Sequence, residues 1–428
     1  MGLIGVLICG GISIFELYRD KRIYSPIVFF SAFWALLIFF SKLRLYELYE
    51  TSDYAYLLIL LGTLSFVVGA TFTRKIKIKP AKKGESINEQ RYNWIVVICL
   101  CALIYNIRTI LMYVSYGFDL KGIYITMART ASGEETRLTS IYSSWQEILQ
   151  QYIGYPLLYT VVPVSIAAYI KERKKKYLIV AIGLSLIRFL FDLRRTYFVI
   201  FIVYIAVFIL IRTNEIKFPK WWTKKLKRRI CIAGGITVAV FIWISTVRRD
   251  SFDEQYSFLK NIYMYYVGSI PYFDQRVNMA CDIKYTFGLT SFRGFFAPFF
   301  SVLRILGISE PTLMVLATNN IESLHNVVLR ITPSHKFNSY ATVFFEFFLD
   351  GGIIGILVFS FLFGCVAEYL YKRAIRYHTT RDIFRYSYFF SIFMMLSVLH
   401  FNGAVVCYIW PFFIESVLFK NEKSSLTG

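Results

Sequence analysis

Apolar residues in this chain come in blocks of about 16–22, the length at which a helix crosses a hydrocarbon layer about 30 Å thick, and short charged stretches separate the blocks. No water-soluble fold accommodates that arrangement, because an unbroken apolar helix of this length has no face left for water. Bulk composition agrees: 57% of the 428 residues are hydrophobic, where soluble chains run at about 45–50%. The pattern predicts an all-α polytopic membrane protein, a single integral membrane domain over 1–428. Eleven spans are expected, at about 2–18, 26–43, 54–73, 93–115, 152–170, 177–191, 196–211, 230–247, 341–371, 386–401 and 404–419. The sixth and seventh spans, and the tenth and eleventh, are short and closely joined, so either pair could instead form a re-entrant hairpin.

The net charge of +21 would fit a nucleic-acid binder if the basic residues lay on one soluble surface. They do not. The dense runs Arg74–Lys83, Lys171–Lys176, Lys217–Arg229 and Lys372–Arg385 are each squeezed between apolar blocks, as cytoplasmic loops are. With the N-terminus outside and the C-terminus cytoplasmic, segments 19–25, 74–91, 171–176, 212–229, 372–385 and 420–428 face inward and hold 30 of the 48 Lys and Arg residues. The first apolar run has its basic residues (Arg19, Lys21, Arg22) behind it, the reverse of a secretory signal peptide.

Two outer segments are long enough to carry function: 116–151, and the larger 248–340, which holds aromatic, partly amphipathic pieces. Several chemistries find no motif here. There is no Walker A loop, no HExxH or His/Cys cluster, no GxSxG elbow and no dinucleotide fingerprint after a strand, for no strand is evident. Hence no metal and no cofactor are expected. Six of the seven cysteines lie in or beside apolar blocks and act as small hydrophobes; Cys281 alone falls in an expected loop.

The outward basic residues differ in kind from the inner ones. Of the remaining 18, 13 are Arg, whereas 18 of the 30 inner ones are Lys. Lysine suffices for orientation; the planar fork of arginine grips a phosphate or carboxylate in fixed geometry. The outer arginines group as Arg188, Arg194 and Arg195, then Arg248 and Arg249, then Arg276 and Arg293. Any one of them could simply snorkel or pair with Asp192, Asp250 or Asp253. As a set they point to an anionic ligand at the outer leaflet. Arg108 and Arg188 lie inside apolar runs, where an ionisable side chain is a functional candidate.

The most informative stretch runs from His335 to Gly364. An outer loop with His335, Lys336 and Asn338 leads into a span holding Glu346 and Asp350, four residues apart and so on one helix face. Gly351, Gly352 and Gly355 follow, a spacing that allows close helix approach and also softens the helix, so that a break there could present backbone to a ligand.

Here the sequence resembles a family. Asn338-Ser-Tyr340-Ala-Thr342 with Asp350-Gly-Gly-Ile-Ile-Gly355 resembles the Asn-x-Tyr-Thr … Asp-Phe-Gly-x-x-Gly signature of Wzy-type oligosaccharide repeat-unit polymerases, which build O-antigen and capsule. The chain departs from it by the inserted Ala341 and by Gly351 in place of the usual Phe. Ile270–Val277 and Phe287–Gly307 are similar to that family's outer loop. The resemblance implies a GT-C-like glycosyltransferase of the bacterial cytoplasmic (inner) membrane. Its substrate would be a glycan on undecaprenyl pyrophosphate, amid membrane lipid and with no nucleotide sugar, and a chain-length regulator would be a candidate partner. Arg248, Arg249 and Arg293, with Arg194, Arg195 and Arg276, are then expected to bind pyrophosphate and stabilise the departing charge. Asn338, Tyr340 and Tyr272 are expected at the glycan. The attacking hydroxyl needs a base: His335 is the first candidate and Asp350 the second, with His325, Asp253 and Asp274 open as well. An O-antigen ligase and a lipid-glycan flippase are the rival readings. The flippase would require broken spans in both halves.

Overall fold

The computed structural model describes residues 1–78, 86–104, 149–192, 196–214, 258–280, 283–309, 311–337, 341–393 and 409–419, with a few isolated positions besides. Its elements are α1 (Gly2–Asp20), α2 (Pro26–Leu43), α3 (Asp53–Lys75), α4 (Glu89–Ile104), α5 (Tyr155–Glu172), α6 (Lys175–Asp192), α7 (Thr196–Asn214), α8 (Phe258–Val267), α9 (Ser269–Met279), α10 (Leu289–Ile305), α11 (Thr312–Asn326), β1 (Leu329–Arg330), β2 (Lys336–Phe337), α12 (Val343–Tyr377), α13 (Thr380–Phe393) and α14 (Pro411–Leu418). Five helical segments among the described residues are long and apolar enough to cross a membrane: Gly2–Asp20, Pro26–Leu43, Asp53–Lys75, Tyr152–Glu172 and Val343–Tyr377. Each meets one of the expected spans, and α4, α6, α7, α13 and α14 overlap five others. The expected span at 230–247 and the outer loop at 116–151 lie outside the described residues, apart from a few isolated positions of that loop.

Local chemistry sets the helix limits. Proline at the first position starts α2, where its missing N–H costs nothing. Ser52 starts α3, its hydroxyl accepting the Ala55 N–H at 3.2 Å. Left-handed residues stop α1 at Lys21 (φ 55°) and α2 at Arg44 (φ 49°), so that two antiparallel helices follow within a short turn. Among the described residues the all-helical reading is departed from by the antiparallel pair β1–β2, with Leu329 opposite Phe337 and Arg330 opposite Lys336, and by an isolated bridge between Ile87 and Phe419. Strands of two residues are too short for alternation to show in sequence.

The chain divides into two compact units. The first comprises Met1–Ala81, Ser257–Tyr377 and Tyr388–Ile409. At its centre α3 packs along α12 at a distance set by glycine: a Cβ on Gly69 would overlap the Phe361 carbonyl, and one on Gly364 the Phe66 carbonyl. Three expected inner segments meet at one end of this unit. Arg74 donates from Nη1 to Glu16 (2.7 Å) and from Nε to Glu368 (2.7 Å), while Tyr371 donates to Asp20 at 2.6 Å. The Lys372 ammonium caps the end of α3, donating to the Arg74 and Ile76 carbonyls at 2.9 Å each. The expected outer segments meet at the other end, where Tyr49 N–H donates to the Ile331 carbonyl (2.8 Å) and Tyr263 to that of Phe40 (2.8 Å).

The second unit comprises Lys82–Tyr256, His378–Ser387 and Trp410–Gly428. Here too the expected inner segments meet. Glu89 pairs with Lys174 and Lys176, and the fully buried Glu415 accepts from Arg381 Nε (2.9 Å) and Arg385 Nη2 (2.5 Å). Within this unit the Arg188 guanidinium stacks over the Tyr155 ring at 3.8 Å, a use of the charge that apolar burial alone would not allow.

Candidate functional site at the break in α12

Non-helical dihedrals interrupt α12 at Gly351 and Gly352 (φ 60°, ψ −139°), where the glycine run was expected to soften it. At Gly352 the positive φ excludes most side chains, and a Cβ would also sit 2.7 Å from the Tyr285 hydroxyl. The break frees carbonyls that need donors. The loop before α10 supplies them: Phe287 N–H reaches the Asp350 carbonyl at 2.9 Å and Thr286 N–H that of Leu349 at 3.4 Å.

The Asp350 side chain completes the join. The α10 helix starts at Gly288 (φ 98°), which has no side chain to cap it. Asp350 caps it instead, its Oδ1 accepting the Thr290 N–H at 2.9 Å and its Oδ2 the Ser291 N–H at 2.9 Å. Two hydroxyls add to this, Thr286 at 2.6 Å and Ser291 at 2.5 Å. Four donors occupy the roughly four lone-pair positions of a carboxylate, so none is left to take a proton from a sugar. Asp350 is a buried clasp that fixes the start of α10. Its place after His335 and on one helix face with Glu346 makes it a candidate base in the sequence, where partners 59 to 64 residues upstream leave no local mark.

The clasped helix carries Arg293, whose Nε donates to Thr318 Oγ1 of α11 at 3.1 Å. No carboxylate among the described residues pairs with it. Arg276, on α9, is buried with its guanidinium 5.6 Å from the centre of the Phe345 ring. Burial lowers its pKa from the usual arginine value, and Tyr272 opposes that shift. A bound anion would favour its charged form in the same way.

Two further candidates serve packing. Asp274 accepts the Ser52 N–H at 2.7 Å and the Ser52 hydroxyl at 2.5 Å, holding the start of α3 much as Asp350 holds that of α10. Tyr272 is wholly buried against Phe337 (ring centroids 5.3 Å), with its hydroxyl on the Val327 carbonyl at 3.0 Å. That placement leaves no ring face for a sugar. His335 closes the β1–β2 turn half-buried, its N–H on Thr332 Oγ1 at 2.8 Å and its carbonyl accepting from Ile331 at 3.2 Å. Glu346, like Asp350, is 1% exposed. Arg194, Arg195, Arg248, Arg249, Asn338 and Tyr340 lie outside the described residues, as does the side chain of His325.

Sequence reasoning missed Thr286, Thr290, Ser291 and Thr318. A Thr-Ser pair opening an amphipathic run is a helix-start signal, and it was legible. That a distant aspartate would cap it was not. Comparison with protein-family models, with curated proteins and with solved structures found no match to this chain.

Proposed function

We propose that this chain polymerises lipid-linked oligosaccharide repeat units at the outer face of the bacterial cytoplasmic membrane. One observation carries the reading. The two segments that resemble Wzy-type polymerases, Phe287–Gly307 and Asp350–Gly355, lie far apart in sequence and are joined by hydrogen bonds from Phe287, Thr290 and Ser291 to Asp350. The join fixes the helix that bears Arg293 beside a break in an apolar helix of membrane-spanning length.

In this reading the chain crosses the membrane eleven times in a GT-C-like arrangement, with its N-terminus outside and its C-terminus cytoplasmic. The growing glycan leaves undecaprenyl pyrophosphate for the non-reducing sugar of the next lipid-linked unit. The acceptor hydroxyl oxygen bonds to the anomeric carbon, the bond from that carbon to the pyrophosphate oxygen breaks, and the hydroxyl proton passes to a base. Arg293 balances charge growing on the pyrophosphate. Arg276, on α9 of the same unit, adds to the same field. With Asp350 committed to α10, His335 is the candidate base, and Asn338 and Tyr340 beside it contact the glycan.

The test is purified full-length protein in vesicles supplied with an undecaprenyl-pyrophosphate-linked repeat unit. Lipid-linked products of two and more units, with release of undecaprenyl pyrophosphate, are expected. Transfer of one unit only when lipid A core is added would make the chain a ligase. Movement of the unit across the bilayer without lengthening would make it a flippase. Either outcome overturns the proposal.

A further inference from the structure

Helix α10 is inside out. Its buried positions are small or polar (Thr290, Ser291, Gly294 and Ser301), whereas Phe292, Phe295, Phe299 and Val302 are exposed, with Leu306 just beyond its end. Those exposed positions recur every three or four residues and so form one stripe along the helix. A helix bathed in water puts such a stripe inward. Here the inward side is taken up by the hydrogen bonds of Thr290 and Ser291 to Asp350.

What covers the stripe can be read from its neighbour. Where α10 begins, Phe292 meets Phe359 of α12 with ring centroids 6.2 Å apart. Phe359 lies beyond the break, in a part of α12 whose outer side is also bare and apolar: Ile354 is 73% exposed, and Val358 and Leu362 are 48% each. That side belongs to a helix of membrane-spanning length and apolarity, so lipid is its solvent. The phenylalanine stripe of α10 continues the same surface. At 17 residues α10 is about 25 Å long, too short to cross, and it starts beside the break in α12, next to the apolar part of that helix that follows the break.

We propose that α10, though it belongs to the outer segment of the chain, is inserted into the membrane, with its Phe292–Val302 stripe covered by phospholipid acyl chains. The consequence is that Arg293, next to Phe292 on this helix, is held close to hydrocarbon.

The experiment uses the full-length chain in vesicles of phosphatidylethanolamine and phosphatidylglycerol. Single nitroxides are placed by Phe295→Cys, Phe299→Cys or Val302→Cys in a cysteine-substituted background, with Lys284→Cys as the water reference and Ile354→Cys as the lipid reference. Collision with oxygen is expected to be several-fold higher than at position 284, and collision with a water-soluble nickel chelate several-fold lower, as at 354. Behaviour matching 284 would mean the stripe faces water. Low collision with both would mean that protein covers it, a second copy or a partner. Either result overturns the proposal. The unmodified chain gives an independent measurement in vesicles doped with a phospholipid carrying a photoreactive acyl chain. Adducts on the peptide 292–306 are expected; adducts on 353–366 with none on 292–306 would also overturn the proposal.

Discussion

The two ends of the first unit use buried charge in opposite ways. At the end where the expected inner segments meet, cations are consumed by the protein itself: Arg74 binds Glu16 and Glu368, and Lys372 binds the last carbonyls of α3. At the other end the buried anions are consumed without a cation, and the ion pairs there, Arg44 with Glu50 and the N-terminal ammonium with Asp53, are exposed. Asp274 holds the start of α3, Asp350 the start of α10, and each carboxylate takes hydroxyl and backbone donors in place of a cation. The same residue types thus build a self-neutralised scaffold at one end. At the other, among the described residues, they leave Arg293 held by the neutral hydroxyl of Thr318. An arginine placed so is suited to an anion that arrives from outside the protein.

The scaffold end should show the largest response in stability. Arg74→Met leaves Glu16 its pair with Arg19 but takes the ion-pair partner from the buried Glu368, and stranding a buried charge in this way costs about 3–5 kcal/mol. Chemical denaturation of the detergent-solubilised protein should report it, with Arg74→Lys recovering only part because lysine lacks the fork that reaches both acids. A loss of less than about 1 kcal/mol, the range of exposed pairs, would mean the two ends do not differ as described.

Asp350→Ala ranks next. It leaves the buried Thr290 and Ser291 N–H groups without their acceptor, an expected loss of about 2–4 kcal/mol. Asp350→Asn keeps the shape and should lose less. Lowered stability in proportion to lowered polymerisation supports the clasp. Normal stability with abolished polymerisation would return Asp350 to the reaction centre. Gly352→Ala should follow at about 1–2 kcal/mol, since an L side chain resists positive φ and the Tyr285 hydroxyl must move.

Much of this plan was legible in the sequence, for a reason specific to membranes. Spans report themselves through composition alone, and the expected second span coincides with α2 from Pro26 to Leu43. The break at Gly351–Gly352 was legible because consecutive glycines weaken a helix wherever they stand. The roles of Asp350, Asp274 and Tyr272 were not. Each depends on a partner distant in the chain, and a carboxylate capping a remote helix has the same local sequence as one poised for catalysis. The β1–β2 pair was hidden by its shortness. Arginine content separates the expected outer segments from the expected inner ones, but it does not say which arginines the protein neutralises for itself.

The smallest expected change in stability belongs to Arg293, and it is the sharpest test of the contrast between the ends. Its guanidinium makes one hydrogen bond to Thr318 and pairs with no carboxylate among the described residues, so Arg293→Lys should shift unfolding by no more than about 0.5 kcal/mol. Polymerisation should nevertheless fall, by about tenfold or more. A lysine brings the charge but cannot span two oxygens of a diphosphate with parallel N–H donors. The loss should appear in turnover as well as in the apparent affinity for the lipid-linked donor, because charge accumulates on the pyrophosphate as the bond breaks. The same substitution at Arg304, which lies near the end of the same helix and is exposed, serves as the control and should leave chain length unchanged. Normal product length from Arg293→Lys at normal expression would make Arg293 an interface anchor like any other. The two ends would then differ only in how their helices are capped.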